Sequence, residues 1–407
     1  MPEVALGDVL TPTLDEVPLV PDDEYKTAGI LHYGRGLFAR PPVLGSGTKY
    51  KKYFRLHDGD FVYSKLFAWE GALTTVTSEF DGYFVSQEFP TFRIDRARLL
   101  PEYMHLLTQW PTLWEYVKGG ETGLGGRRKR VHIDHLLGIS VHLPALDDQS
   151  RVVDLFATLD AAAGDAAAKT NAIRAAQRSV LAHELARPGQ PTKPIIAVME
   201  HVLGGAWGSD PGVDDTDVIS LNPSVFAGGQ IAVDPTRGSP RSLPKKRANA
   251  RTLRPNDIVI ERSGGGDDQP VGRVVLFTDA SATTQPVIPS DFMRQLRVNP
   301  ELANPQYVYW ALWTKYQLGD TREFSAKTTS IWNLRIPEYL ESVVPIPDAE
   351  TQRRVVDLAW AFEQAARLAA ESLHSTQVAR SALLAELLSG RQSIPVASQR
   401  AHEGSVA

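Results

Sequence analysis

The chain has 407 residues, with 43 lysines and arginines against 48 aspartates and glutamates, a formal net charge of −5. That balance excludes a wholly basic nucleic-acid binder of the histone kind, so a polyanionic partner would have to be met by local patches. Cysteine is absent, which removes disulfides, thiolate metal sites and thiol nucleophiles and fits a reducing cytoplasm.

Length predicts two or three domains, and 43% hydrophobic residues are enough to bury real cores. No apolar run approaches the ~18 residues of a membrane span. The opening MPEVALGDVL lacks a basic leader followed by an apolar core, so no export signal is expected.

In chain order, residues 1–146 read as a mixed α/β head of short β-branched runs such as GDFVYSKL (Gly59 to Leu66), broken by Gly, Pro and Asp turns. Three basic stretches fall in it. HYGRGLFAR carries Arg35 and Arg40, and TKYKKYFR interleaves Lys49, Lys51, Lys52 and Arg55 with Tyr50, Tyr53 and Phe54. GLGGRRKRVH places Arg127, Arg128, Lys129 and Arg130 behind a glycine-rich turn. Taken singly, such a run is usually a solvated face.

Residues 147–190 read as a long spacer helix. Val152, Leu155, Leu159, Ala162, Ala166, Ile173, Gln177, Val180 and Glu184 form a stripe at three- and four-residue steps, with an interruption at Thr170. Asp147 or Asp148 can cap it, and Pro188-Gly189 ends it.

Residues 191–347 read as a second head. It contains the strand DVISL, a turn at NPSV, the strand NDIVIERS and a hairpin tip at SGGGDD. Between them RGSPRSLPKKRANARTLR carries Arg237, Arg241, Lys245, Lys246, Arg247, Arg251 and Arg254 and no acid. The acids of DDTD (Asp214 to Asp217) and GDD (Gly266 to Asp268) are expected to lie away from a nucleic-acid face or to meet a protein partner.

Residues 348–391 read as a second spacer helix with the stripe Val355, Leu358, Phe362, Ala365, Ala369, Leu373, Thr376, Leu383 and Leu387, closed by Gly390. Each helix should run about 38 residues, or about 57 Å. Residues 392–407 read as an unstructured tail.

The chain repeats itself. LPALDDQSRVVDL and IPDAETQRRVVDL align without a gap at an offset of 203 residues (143 to 346). RSVLAHEL and RSALLAEL match at 202 (178 to 380), QEFPTFRID parallels SDFMRQLRVN, and LPEYMHLL parallels NPQYVYWAL. Blocks in one order at nearly one offset indicate tandem copies of a unit of about 200 residues.

A long helix with a narrow apolar stripe cannot bury it alone, whereas two of equal length can bury theirs against each other. The expected fold is therefore α+β, two heads on two long helices packed as an antiparallel coiled coil with pseudo-twofold symmetry. The alternative is that each helix lies flat on its own head. Paired heads on a spacer suit a target with two half-sites, and duplex DNA repeats its face about every 34 Å. The candidate phosphate contacts are Arg35, Lys49, Lys51, Lys52, Arg127, Arg128, Lys129, Arg130, Arg241, Lys245, Lys246, Arg247 and Arg251.

With its duplicated Pro-x-x-x-x-Gln-x-Arg-Val-Val junctions around two unlike heads, the chain resembles the specificity subunit of type I restriction–modification systems. GDFVYSKL…SEFDGYFVSQEF and LPALDDQSRVVDLFATLD carry the same likeness, which runs from LGDV (Leu6 to Val9) to LLAELLSGR (Leu383 to Arg391). The resemblance implies two target-recognition domains, each reading half of a split DNA sequence, with the helices setting the gap. It implies two methyltransferase subunits along the helices and, for restriction, motor–nuclease subunits. S-adenosylmethionine and ATP with magnesium would be held by those partners, none by this chain, in the cytoplasm and away from membranes.

The rival reading is a self-contained methyltransferase or nuclease. NPSV lacks the second proline and the aromatic residue of an amino-methyltransferase tetrad, there is no G-x-x-x-x-G-K-S/T loop, and HIDH (His132 to His135) has no third placed ligand. A pure coiled-coil scaffold is the third reading, and it leaves the unlike basic heads unexplained.

Overall fold

The structure is a computed structural model, and it describes residues 2–119, 121–122, 130–266, 268–328 and 331–391. The chain divides into two compact units. One comprises the residues up to Ala166 together with those from Glu371 on, and the other runs from Ala167 to Ala370.

In unit 1, a four-stranded antiparallel sheet has the order 10–13, 91–94, 61–63, 73–75. In unit 2, a four-stranded antiparallel sheet has the order 199–204, 293–298, 258–261, 274–276. Both place the first strand beside the fourth and the fourth beside the second, so the repeat is one of topology as well as of sequence.

The second strand of each sheet is central, and this explains its uninterrupted apolar run. Successive side chains leave opposite faces of a strand. Phe61 and Tyr63 therefore enter one core while Val62 enters another. Ile258 and Ile260 likewise separate from Val259. An aspartate precedes each of these strands, and each is buried and paired to an arginine of the fourth strand: Asp60 to Arg93 at 2.8 Å and Asp257 to Arg297 at 2.6 Å.

Unit 1 adds α1 (Pro101–Thr108), α2 (Pro111–Lys118) and α3 (Ile133–Leu137), and the first part of α4 (Leu146–Leu185). Unit 2 holds the rest of α4 with α5 (Lys245–Arg251), α6 (Pro305–Leu318), α7 (Ile336–Glu341) and the first part of α8 (Ala349–Leu388). Proline stands at the first position of α1, α2 and α6, where its missing N–H costs nothing.

The repeated Pro-x-x-x-x-Gln junction has a mechanical reason. In unit 1 the buried Gln149 accepts from the Leu100 N–H at 2.9 Å, the cap of α1, and donates to the Pro144 carbonyl at 2.9 Å. In unit 2 Gln352 accepts from the Asn304 N–H at 2.8 Å, the cap of α6, and donates to the Pro347 carbonyl at 2.7 Å. The side chain thus ties the start of a long helix to the start of a domain helix in both copies.

The long helices, α4 and α8, each run 40 residues against an expectation of about 38. Within unit 1, Val152 and Phe156 share a core with Leu384, Leu387 and Leu388, while Asp160 receives Arg380 at 2.5 and 3.0 Å. Within unit 2, Gln177 donates to the Ala359 carbonyl at 3.2 Å, Arg354 bonds Glu184 at 2.8 Å, and Arg174 grips Glu363 with both guanidinium arms. In each case one number rises as the other falls, so the helices pack antiparallel, and the flat-lying alternative is set aside.

The stripe differs from expectation by one residue in each helix. Ala163 and Ala366 face inward, whereas Ala162 and Ala365 are exposed. Thr170 lies on the face and does not interrupt it. Because α4 starts at Leu146, Asp147 and Asp148 sit in its first turn, where negative charge meets the helix dipole, and do not cap it. Among the described residues no helix is long and apolar enough to cross a membrane.

Candidate nucleic-acid interface

In unit 1 Arg35 and Arg40 of HYGRGLFAR line one cleft of about 740 Å³, together with Phe38, Tyr50, Phe67 and Glu88, among others. The loop bearing Arg35 is held from beneath. Gly34 (φ 64°) lies so close to α1 that a Cβ would meet the Thr108 carbonyl at 2.7 Å. The N–H groups of Tyr33 and Gly34 bond the carbonyls of Glu70 and Gly71, and His32 meets the Glu70 carboxylate at 2.6 Å. Arg35 itself is exposed and donates to the His32 carbonyl at 3.0 Å, with no ion pair among the described residues.

Lys49 and Lys51 are exposed beside Tyr50, and neither forms an ion pair among the described residues. Lys52 is engaged with Glu16 at 2.5 Å and lies over Phe54. Arg130 is engaged by Glu88, a residue of the cleft, at 2.9 and 3.3 Å. Arg127, Arg128 and Lys129 lie outside the described residues.

In unit 2 the cluster centres on α5. Its single buried residue, Ala248, packs with Val218, Leu243 and Ile288. Lys245, Lys246 and Arg247 are exposed, with no ion pair among the described residues. Arg251 faces back, donating to the Gly204 carbonyl at 2.9 Å and so fastening α5 to strand 199–204. Arg241 stacks over Trp207 at 4.4 Å and pairs with Asp210 at 2.6 Å. The candidate cations therefore sort into exposed ones with no ion pair among the described residues (Arg35, Lys49, Lys51, Lys245, Lys246, Arg247) and ones already held by the protein.

The acids of DDTD do not stand apart from the basic patch. The Asp215 carboxylate accepts from the Lys245 N–H at 3.3 Å at the start of α5, and the Asp214 N–H bonds Ser242. An acid is useful there because the first turn of a helix has unsatisfied N–H groups.

Sequence reasoning missed a further basic cluster, Arg262, Arg294 and Arg335, which line one open pocket of unit 2. These residues are far apart in the chain, and only the register of two sheets joins them, so no spacing could reveal the group. Among the described residues no group of three or more His, Asp or Glu residues could hold a metal ion, and His135 instead meets the Tyr116 carbonyl at 3.0 Å.

Two units of one topology, each with free surface cations and each containing a stretch of paired antiparallel helix, define a tandem-duplicated α+β protein. Comparison with known proteins makes the class more specific. No family model matches the chain. Over 102 residues it is 26% identical to the type I restriction enzyme HindI specificity subunit of Haemophilus influenzae, a match that spans 25% of this chain and 22% of that relative's length.

A chain solved in work on complex assembly and conformational transition of the type I R-M system superposes with a TM-score of 0.62 at 16% identity, covering 96% of this chain and 98% of that one. The HsdS subunit of Thermoanaerobacter tengcongensis aligns over 96% of this chain and 97% of its own, with a TM-score of 0.48 at 16% identity. The chain therefore resembles type I specificity subunits in sequence, and it has the fold of the type I R-M chain.

Proposed function

We propose that this protein is a sequence-specific DNA-binding subunit that recognises a bipartite duplex target and directs methyltransferase subunits, and in restriction motor–nuclease subunits, to it. It performs no chemistry itself. S-adenosylmethionine and ATP with magnesium are bound by the two methyltransferase subunits and the motor–nuclease subunits, in the cytoplasm. The observation that carries this reading is the duplicated unit with exposed, unpaired cations in both copies, on a fold shared with a type I R-M chain.

Duplex DNA concentrates negative charge, and each phosphate met by a lysine or arginine releases condensed counterions. Lys245, Lys246 and Arg247 in unit 2, and Arg35, Lys49 and Lys51 in unit 1, support such contacts because no carboxylate has to be displaced first. Arg130, Lys52 and Arg241 would exchange a protein carboxylate for a phosphate, while Arg251 positions α5. Arg127, Arg128 and Lys129 complete the set in unit 1.

The test is fluorescence anisotropy on mixed genomic duplex, with the chain alone and with its methyltransferase partners. Reversing charge at Lys245, Lys246 and Arg247 should weaken binding and flatten the dependence of log K on log salt by about 0.9 for each phosphate that is no longer neutralised. Unchanged affinity and slope would remove α5 from the interface. Methylation by the isolated chain supplied with S-adenosylmethionine would point instead to a self-contained enzyme.

A further inference from the structure

In unit 2 the chain passes from one sheet to another at a single residue. Strand 258–261 pairs with strand 293–298, with Ile260 opposite Arg294 and Glu261 opposite Met293. Two residues on, Ser263 is opposite Asn333 in a different sheet. Arg262 is the crossover: its N–H bonds the Phe292 carbonyl at 2.8 Å on one side, and its carbonyl accepts from the Leu334 N–H at 2.7 Å on the other. The crossover places its side chain in the pocket of about 590 Å³ that Arg294 and Arg335 also line.

Two of these three guanidiniums are held in place without being neutralised. Arg294 donates to the carbonyl of Met293 at 2.8 Å, and Arg335 to the carbonyl of Glu323 at 2.7 Å. Arg262 has no side-chain partner among the described residues, and no carboxylate bonds any of the three. Glu338 also lines the pocket but forms no ion pair with them among the described residues. Burial, and after it the Arg262 guanidinium, pull Arg294 below the ordinary arginine range, with Asp291 opposing. Like charges gathered in a partly desolvated pocket repel, and an anion is what relieves them.

The corresponding place in unit 1 is built differently. There Lys65 makes the same two backbone bonds, to Glu88 at 2.9 Å and from Val131 at 2.8 Å. The residue that stands where unit 2 has Phe292 is Glu88, whose carboxylate takes Arg130. In unit 1 a carboxylate thus takes a cation at this place, whereas among the described residues of unit 2 no carboxylate bonds the three arginines.

We propose that Arg262, Arg294 and Arg335 form a phosphate-binding site in unit 2 and that its occupant is a backbone phosphate of duplex DNA. Guanidinium is suited to this because its forked donors match a phosphate oxygen pair. The choice of DNA as the source rests on the function proposed above, whereas the affinity for a phosphate group does not.

The experiment uses the full chain as wild type, Arg262→Ala and Arg262→Lys. In one arm, inorganic phosphate replaces chloride at constant ionic strength and thermal melting is followed. Phosphate should raise the melting temperature of the wild type and of Arg262→Lys, and leave that of Arg262→Ala unmoved. In the other arm, duplex binding is measured against salt. Arg262→Ala should bind roughly tenfold more weakly at low salt, with a slope shallower by about 0.9.

A phosphate effect with an unchanged DNA slope would keep the anion site and assign it a free phosphate. No rise in the wild-type melting temperature with phosphate, together with an Arg262→Ala variant that melts like the wild type and keeps its duplex affinity and salt slope, would overturn the site. Failure of the wild type to bind duplex would sink the DNA reading alone, since the phosphate arm still decides the site.

Discussion

Gln149 and Gln352 show what a residue-level pattern can and cannot disclose. Their spacing from Pro144 and Pro347 was plain in the sequence, but the reason for it, an amide that bonds the residue at the start of a second helix about 50 residues upstream, became visible only with the Leu100 and Asn304 contacts. Removing such a group leaves a partly buried N–H and a buried carbonyl unpaired, which costs about 1–3 kcal/mol. Gln352→Ala should lower stability by about that amount, seen as a reduced denaturation midpoint, while an unchanged midpoint would reduce the motif to a surface feature.

His105 provides a pH signature at the same scale. Burial first, and then the Arg380 guanidinium, hold its imidazole below the ordinary value, with Asp160 opposing. Its unfolded form takes a proton near pH 6.5, before the folded form does. The stability it contributes is therefore fully present above about pH 6.5 and is lost as pH falls from there toward the folded value. Between pH 7.5 and 5 the melting temperature of His105→Gln should fall less than that of the wild type. Equal slopes would contradict this account.

At the scale of elements, the helices were legible because a 3.6-residue period and the Ala, Glu, Gln and Arg content point one way. The face was misjudged by one residue at two alanines, since alanine carries too little apolar weight to fix a stripe by itself. The structure makes Ala366 fully buried and leaves Ala365 in solvent. Ala366→Leu should destabilise the protein by about 1–3 kcal/mol through overpacking, and Ala365→Leu should change it by less than about 0.5 kcal/mol. Denaturant titration of the two variants distinguishes these registers, and the reverse ranking would refute the packing described here.

The sheets were legible only as apolar runs. Which strands neighbour which depends on long-range pairing, so the basic residues on contiguous loops could be named in advance and the Arg262, Arg294 and Arg335 group could not. Charge runs also said nothing of counter-ions. Lys245 and Lys52 look alike in sequence, yet one has no ion pair among the described residues and the other is held by Glu16.

At the scale of the whole molecule, duplication was the most readable feature, because gapless blocks at one offset need no structural knowledge to be recognised. Both copies share a sheet order and a glutamine lock, but they differ in their basic surfaces: a cleft with aromatic walls in unit 1, and a short helix with an unpaired arginine pocket in unit 2. Like frames with unlike faces suit a target whose two halves differ in sequence. On the proposed function the bases contacted would depend on side chains that no repeat preserves, which is why the sequence does not name the target.

The most direct measurement is the methylome of the host with and without this chain. The account predicts that one motif, made of two short specified segments separated by unspecified bases, loses methylation when the chain is removed. An unchanged methylome, or the loss of a contiguous unsplit motif, would contradict it.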